Sequence, residues 1–231
     1  MTRTVSPLTS WRCLHGVLLG LTCLAGLLSS TCVLAGDVRV EVIGRDGAPV
    51  SGVAIVLEMP AGTAHAGVHH TARMDQQNRR FIPEVLVIES GTSVEFPNSD
   101  SVSHQVYSFS SPRRFQLPLY KGVTRAPVAF GQPGLVVLGC NIHDEMVGYI
   151  LVTDSPFHGA TDASGTAHIS AVTAGTYRVS AWGPRINDGG GTLAATLAVS
   201  GDAPQSLTLR LHEPLRRNPS PRPGRVDWDG Y

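Results

Sequence analysis

The sequence predicts an all-β protein. Short apolar runs recur along the chain, and Gly, Pro, Asn and Asp separate them. No long stretch repeats its apolar residues at the spacing of a helix. Many short strands joined by such turns are typical of a β-sandwich, although a barrel produces a similar pattern.

The strand-like segments follow one another at short intervals. Residues 38–42 alternate apolar and polar side chains, Asp46-Gly47 is a turn signal, and residues 53–59 are apolar and rich in strand-forming types. The later segments predicted as strands are residues 84–89, 93–96, 103–109, 134–138, 148–152, 166–169, 176–182, 193–199 and 206–211.

Residues 1–35 predict a secretory signal peptide. Basic residues precede an apolar run from Leu14 to about Leu28, small residues follow it, and Val33-Leu34-Ala35 predicts a cleavage site before Gly36. A transmembrane anchor is the alternative, but the run is short for a spanning helix and Gly and Ser dilute it. We therefore expect a periplasmic or secreted protein that has no membrane span after cleavage.

Removal of this leader leaves Cys140 as the only thiol, because the other three cysteines lie within it. An exported chain with one thiol cannot form an internal disulfide. His143 and Met146 follow Cys140 at intervals of three residues, so thiolate, imidazole and thioether come together, a mixture that suits copper. A buried, inert cysteine is the alternative.

A second imidazole would complete a blue-copper ligand set of two His, one Cys and a weak axial Met. His104, upstream of the cysteine, can supply it. Zinc is the rival metal, because one Cys and two His suit it as well. The thioether favours copper.

Charge argues against one class of partner. The chain has 18 basic and 18 acidic residues, and loss of the leader, which holds two Arg and no acid, leaves a net charge of −2. Nucleic-acid binding requires a basic field that this composition does not provide. Within the Cys140–Met146 segment, Asp144 and Glu145 instead suggest a basic protein partner.

Residues from about 72 to 154 resemble a cupredoxin, the small blue-copper electron-transfer fold. The Cys140-x-x-His143-x-x-Met146 spacing is similar to the short ligand loop of the amicyanin type. The other matching segments are Phe81-Ile82-Pro83, residues 89–96, Asn98-Ser99-Asp100, His104 and Pro133-Gly134. The resemblance implies a Greek-key sandwich that holds one type 1 copper per chain.

The resemblance also implies roles for individual residues. Cys140 would be the thiolate ligand, His104 and His143 would bind through ring nitrogens, and Met146 would be the long axial ligand. Two further residues would support the ligands. Asn98 would stabilise the turn that holds His104, and Gln105 stands where many cupredoxins have Asn, with its backbone N–H expected near the sulfur.

The flanks of this region resemble a carboxypeptidase-regulatory-like or transthyretin-like β-sandwich. Asp46-Gly47-Ala48-Pro49-Val50 carries the first part of this match, and Thr161–Gly165 with Gly175–Val179 and Trp182 carries the second. We predict a discontinuous sandwich over residues 37–70 and 155–213, with a cupredoxin domain inserted at 71–154. A single elongated β domain is the alternative.

The overall pattern resembles bacterial proteins labelled methylamine utilization proteins. Residues 103–110, 117–122 and 139–144 carry this match, although none of them indicates methylamine itself. The implied function is electron transfer without substrate turnover, with a cytochrome c-like or dehydrogenase-like redox partner. The alternatives are a periplasmic copper chaperone or buffer, and an interaction module with a structural metal.

Two further segments remain outside these assignments. His65, His69 and His70 form a cluster that we expect to be a solvated loop, with an auxiliary copper-loading site as the alternative. Residues 214–231 alternate Pro and Arg, a composition that cannot build a core, and we predict a flexible tail.

Overall fold

The computed structural model describes residues 35–60, 67, 70–122, 126–201 and 203–216. The predicted leader, except for its last residue, lies outside these residues, as do His65, His69 and residues 217–231 of the predicted tail. The described residues belong to one compact unit, Val33–Tyr231. Among them, no helix has the length and apolar character needed to cross a bilayer.

The structure confirms the all-β class. Its described residues form β-strands and one short 3-10 helix, Asp188–Gly190. In chain order the strands are β1 (Ala35–Ile43), β2 (Ala54–Glu58), β3 (Thr71–Arg73), β4 (Asp75–Gln77), β5 (Arg80–Ile82), β6 (Val85–Glu89), β7 (Thr92–Glu95), β8 (Tyr107–Ser108), β9 (Phe115–Gln116), β10 (Val128–Phe130), β11 (Gly134–Gly139), β12 (Val147–Thr153), β13 (His158–Ala160), β14 (Thr166–Thr173), β15 (Gly175–Trp182), β16 (Thr192–Val199) and β17 (Gln205–Arg210).

The strands form two sandwiches. The flanking sandwich, built from both ends of the described chain, stacks sheet β14-β1-β17 on sheet β13-β2-β15-β16. The central sandwich stacks sheet β10-β7-β3 on sheet β6-β12-β11-β8-β9, with the hairpin β4-β5 beside them. The chain leaves the flanking sandwich after β2 and returns to it at β13.

Each sandwich has its own apolar core. The core of the flanking sandwich draws on residues 38–57 and 157–211, and that of the central sandwich on residues 74–152. A third apolar cluster lies between the sandwiches, where Val56 and Trp182 pack with Val87 and Tyr149. This shared cluster explains why residues 53–59 read as a continuous apolar run, since both faces of β2 are covered. The predicted domain boundaries at residues 70 and 155 remain a prediction.

One pair of strands matters most for function. β11 and β12 run antiparallel from Gly134 opposite Val152 to Gly139 opposite Val147. The segment Cys140–Met146 therefore joins two paired strands, and their pairing fixes the position of both its ends. β12 also pairs in parallel with β6, and β11 pairs with β8. Both strands that hold this connection therefore have a further neighbour in the sheet.

The segment 103–109 was predicted as one strand, and this prediction is wrong. Only Tyr107–Ser108 is a strand, and His104 instead forms an isolated bridge with Tyr120. The physical reason is local hydrogen bonding, because the side chain of Asn98 donates to the carbonyl oxygen of Val102 and curves the chain before His104. His104 thus lies on a loop, not at the start of a strand.

The short strands β3, β4, β5, β9, β10 and β13 were not predicted. Each has only two or three residues, and several are polar, as in Asp75–Gln77. Such segments are too short to display alternation, so the pairing partner and not the local sequence makes them strands. They matter here because the β4-β5 hairpin borders the functional site.

Candidate metal centre

The connection between β11 and β12 brings three potential ligands to one side. The amide of His143 donates to the carbonyl of Cys140 at 3.4 Å, and the amide of Met146 donates to the carbonyl of His143 at 2.9 Å. These two turns place every third side chain toward the protein. Cys140 and Met146 are accordingly 2% and 1% exposed, whereas the intervening Asp144 and Glu145 lie in solvent.

His104 reaches the same point from a different loop. Its amide donates to the carbonyl of Tyr120 at 2.9 Å, and the amide of Tyr120 donates back to its carbonyl at 3.0 Å. The Tyr120 hydroxyl donates to the carbonyl of Phe96 and accepts a hydrogen bond from Gln76. His104 is fully buried as a result, so its imidazole contacts protein atoms and not solvent.

Asn98 shapes the loop that carries His104. Its side-chain amide donates to the carbonyls of Val102 and Tyr120 at 3.0 and 2.8 Å, and its oxygen accepts from the amide of Asp100 at 3.0 Å. These contacts fit the predicted role of Asn98 in the turn before His104. Gln105 is half-buried, and its predicted approach to the sulfur remains a prediction.

His104, Cys140 and His143 converge. The sulfur of Cys140 lies 3.8 Å from Nδ1 of His104 and 3.8 Å from Nδ1 of His143. The two rings meet edge to face with centroids 4.9 Å apart. In the described part of the chain these residues are the one group of three or more His, Cys, Asp or Glu whose ligand atoms lie within 4.8 Å of one another.

The spacing of these donor atoms fits a metal ion. Metal–sulfur and metal–nitrogen bonds of about 2.3 and 2.0 Å at an angle of about 120° separate the two donors by about 3.7 Å. Both observed sulfur–nitrogen separations are 3.8 Å, and all three donor atoms lie within 4.8 Å of one another, so a single ion can bind all three. One soft thiolate with two imidazoles is the equatorial set of a blue-copper site.

A carboxylate orients the buried ligand. Nε2 of His104 lies 2.9 Å from Oδ2 of Asp100, which also accepts a 2.7 Å hydrogen bond from the amide of Arg79. Hydrogen bonds from His104 and Arg79 hold the pKa of Asp100 well below its usual range. An ionised carboxylate only accepts hydrogen bonds, so Nε2 is the donor in this contact, and in the neutral ring Nδ1 then keeps a lone pair for a metal.

The surroundings of His143 favour the neutral imidazole that a metal requires. Partial burial, the neighbouring His104 and the charge of Arg79 lower the pKa of His143, and Asp100 opposes them. The ring remains only partly covered, so one edge of the centre is close to solvent.

Two glycines allow aromatic rings to pack against the strands that hold the ligand loop. A Cβ atom at Gly139 would lie 2.7 Å from the ring of Tyr107, and one at Gly148 would lie 2.8 Å from Cβ of Phe81. Burial, Cys140 and Asp144, in that order, raise the pKa of Tyr107.

The remaining predicted residues fall into two groups. Met146 is buried in the same apolar cluster as Cys140, and its axial role remains a prediction. His70 is exposed, and the auxiliary metal site predicted with His65 and His69 rests on two residues outside the described part of the chain.

Sequence reasoning missed three contributors to the site. It assigned no role to Asp100, Tyr120 or Arg79. A carboxylate shortly before a candidate His ligand is a usable signal for Asp100, because metal-binding His residues commonly donate their second N–H to an acid. Nothing in the local sequence around Tyr120 or Arg79 indicates that either residue contacts this loop.

Comparisons with known proteins found similarity at the level of solved structures. No protein-family model and no curated protein matches the sequence. A purple cupredoxin from Nitrosopumilus maritimus is 24% identical over 36% of this chain and 99% of its own, with a TM-score of 0.32. An amicyanin mutant in its reduced Cu(I) form is 19% identical over 40% of this chain and 88% of its own, with a TM-score of 0.34.

A copper-containing nitrite reductase from Thermus scotoductus is also similar. It is 26% identical over 42% of this chain, with a TM-score of 0.34, but the match spans only 25% of the reductase. At these TM-scores the similarity is too weak to assign a family or an activity to this chain. The donor geometry at Cys140 therefore has to support any functional conclusion.

Proposed function

We propose that this chain is an exported, mononuclear type 1 copper protein that carries single electrons between redox partners. The observation that supports it is the convergence of His104 Nδ1, Cys140 Sγ and His143 Nδ1, with both sulfur–nitrogen separations at 3.8 Å. Bound copper would supply one-electron chemistry at this point. Met146 would be the axial ligand, a role that suits its burial beside Cys140.

The donor set favours copper over zinc. A zinc site of the catalytic kind binds a water molecule in its fourth position. Here the proposed fourth donor is the thioether of Met146, a buried side chain in the same apolar cluster as Cys140 and a soft ligand that prefers copper. The same argument opposes enzymatic turnover, since four protein ligands leave no position for a substrate.

The setting of the ligands suits electron transfer. Cys140, His143 and Met146 lie between two paired strands, and hydrogen bonds with Tyr120 and Asp100 fix His104. Ligands held in this way move little when the metal changes oxidation state, which keeps the reorganisation small. The partly exposed edge of His143 provides the route by which an electron would leave.

The wider organisation forms part of the same proposal. Residues 37–70 and 155–213 would be one discontinuous sandwich into which the copper domain, residues 71–154, is inserted. The separate cores on the two sides of the shared apolar cluster support this division. The proposal also includes export, cleavage near Ala35-Gly36, and a redox partner that is cytochrome c-like or dehydrogenase-like. The link to methylamine utilization remains a prediction.

Anaerobic copper titration with optical spectroscopy tests the function. We expect one tightly bound copper per chain, an intense visible band in the Cu(II) protein and a reversible one-electron couple. Cys140→Ser should abolish the band, because the thiolate is the donor of the charge-transfer transition. His70→Ala, at an exposed site away from the three donors, is the matched control and should retain it.

Four outcomes would contradict the proposal. A colourless Cu(II) protein, or a band that survives Cys140→Ser, would exclude a copper–thiolate centre. Several tightly bound Cu(I) ions without a reversible couple would favour a copper chaperone or buffer. Preferential zinc binding that raises the free energy of unfolding, without a reversible one-electron couple, would favour a structural metal.

A further inference from the structure

Gln76, in β4, is a fully buried amide in the central sandwich. Its side-chain nitrogen lies 2.5 Å from the hydroxyl of Tyr120, 3.1 Å from the carbonyl oxygen of Pro97 and 3.3 Å from that of Phe96. These three acceptors belong to two separate segments of the chain. The amide of Gln76 therefore connects the segment before Asn98 to the segment that contains Tyr120.

The partners of this amide determine its orientation. Carbonyl oxygens only accept hydrogen bonds, so the amide must turn its NH2 group toward Phe96 and Pro97. The Tyr120 hydroxyl donates its single proton to the carbonyl of Phe96, so it accepts the hydrogen bond from Gln76. The tip of the Tyr120 side chain is thus held by one donor and one acceptor.

A path of backbone bridges leads from Gln76 to His104. Gln76 forms a parallel bridge with Asn98, Asn98 an antiparallel bridge with Gly122, and Tyr120 an antiparallel bridge with His104. Tyr120 and His104 exchange two backbone hydrogen bonds of 2.9 and 3.0 Å. The side chain of Gln76 therefore reaches past the segment of Asn98 and holds the residue that pairs directly with His104.

The other end of the Gln76 amide has no partner. In the described part of the chain, its Oε1 is a buried atom without a hydrogen bond, which costs free energy that an apolar side chain of the same length would avoid. Such a side chain would leave neither carbonyl unpaired. Pro97 also accepts from the backbone amide of Gln76, and Phe96 accepts from Tyr120. The amide thus contributes specificity of position more than net stability.

We propose that Gln76 is a positioning residue of the metal centre, which fixes the place of His104 through Tyr120. The consequence for copper rests on the function proposed above. Asp100 orients the ring of His104, whereas Gln76 and Tyr120 hold the backbone that carries the ring. Both are required, because a metal ligand has to be held within about 0.5 Å of its productive position.

Hydrogen exchange of the His104 Nε2–H tests the proposal without copper. This proton is buried and donated to Asp100, so NMR of the full metal-free protein can follow it, and His104→Gln identifies its resonance. Gln76→Met should speed the exchange by about five- to tenfold, because a loosened Tyr120 lets this loop open more often. The free energy of unfolding in urea should stay close to that of the parent.

Thr161→Val is the matched control, since Thr161 is a buried polar residue of the flanking sandwich. Its hydroxyl accepts a hydrogen bond from the amide of Val53 and donates one to the carbonyl of Val50. Loss of the hydroxyl leaves both groups unpaired. Thr161→Val should therefore lower the free energy of unfolding and leave the exchange of the His104 proton unchanged.

The copper-loaded protein provides a second readout. Gln76→Met should weaken copper binding by about five- to tenfold in competition with a chelator. It should also broaden the parallel hyperfine lines of the Cu(II) EPR spectrum, because the His104 nitrogen occupies a wider range of positions. Tyr120→Phe should have the same effects, and the double variant should not exceed the larger single effect, since the two residues act as one unit.

The outcomes separate this proposal from the proposed function. If Gln76→Met leaves the His104 exchange unchanged, or is destabilised as strongly as Thr161→Val, Gln76 is an ordinary core residue and the proposal is wrong. Additive effects of Gln76→Met and Tyr120→Phe would exclude the route through Tyr120. If no copper–thiolate centre forms but Gln76→Met still speeds the exchange, the positioning role stands and the electron-transfer function fails.

Discussion

Nε2 of His104 lies 2.9 Å from Oδ2 of Asp100, four residues earlier on the same loop. Asp100 also accepts a hydrogen bond from the amide of Arg79, so one carboxylate links the buried imidazole to the β4-β5 hairpin. The ring of His104 is thus oriented by a carboxylate that also accepts a hydrogen bond from the β4-β5 hairpin. The following predictions concern this arrangement and its surroundings.

Asp100→Ala should weaken copper binding by about 10- to 100-fold, the usual effect of removing the hydrogen-bond partner of a metal-binding His. His104 is fully buried, so without Asp100 its Nε2–H loses the partner that fixes the ring. Competition against a chelator of known affinity measures the change. Asp100→Asn keeps an acceptor and should lose less, and Asp144→Asn, at an exposed loop position, should bind copper as the parent does.

Met146→Leu should retain copper but raise the reduction potential of the centre. Loss of the thioether removes electron donation that favours Cu(II), while Leu preserves most of the buried volume. Voltammetry of the loaded protein measures the shift. An unchanged reduction potential would mean that Met146, which is only 1% exposed, is a core residue and not a ligand.

Gly148→Ala should destabilise the protein by about 1–3 kcal/mol, the usual cost of overpacking. The added Cβ would lie 2.8 Å from Cβ of Phe81, an atom that cannot rotate away. Urea unfolding of the metal-free protein measures the change. Gly131→Ala is the matched control, because a Cβ there meets no atom within 4 Å, and equal destabilisation by both changes would refute the packing argument.

The free energy of unfolding should fall as the pH drops from about 4 to about 2, in part through Asp75. Burial acts to raise the pKa of this carboxyl, but hydrogen bonds from Gln77, Ser99, Gln76 and Arg73 lower it from 3.8 to about 2. A folded-state pKa below the unfolded value means that the stabilisation is present above pH 3.8 and is lost as protons bind the folded protein.

Asp75→Asn should remove about 1–2 kcal/mol of this acid-dependent change. Urea unfolding midpoints of the parent and the variant, followed from neutral pH to pH 2, provide the comparison. The parent should be the more stable protein at neutral pH, and the difference should narrow in acid. Asp75 accepts a hydrogen bond from the Ser99 hydroxyl and so connects β4 to that loop. If the stabilities of parent and variant fall in parallel with pH, Asp75 contributes no pH-dependent stabilisation.

Much of the fold could be predicted from local patterns. Strands of five or more residues, such as β1, β12 and β15, bury alternate or consecutive side chains, and their periodicity is visible in the sequence. The polar three-residue strands have no such signal, because their pairing depends on distant partners. The loop of His104 was misread as a strand for a related reason. Its bridge to Tyr120 and the hydrogen bond from Asn98 to the Tyr120 carbonyl are long-range contacts, and they act together with the local bond from Asn98 to Val102.

The sequence by itself determined the ligand types and part of their arrangement. The covalent chain fixes the spacing of Cys140, His143 and Met146 within one short connection, and His104, upstream of them, was identified as the missing imidazole. Only the tertiary structure decided which groups surround them. Tyr120 pairs with His104 across an isolated bridge, and the amide of Arg79 in the β4-β5 hairpin reaches the carboxylate of Asp100. Such contacts depend on burial and pairing over long separations, which local residue patterns do not encode.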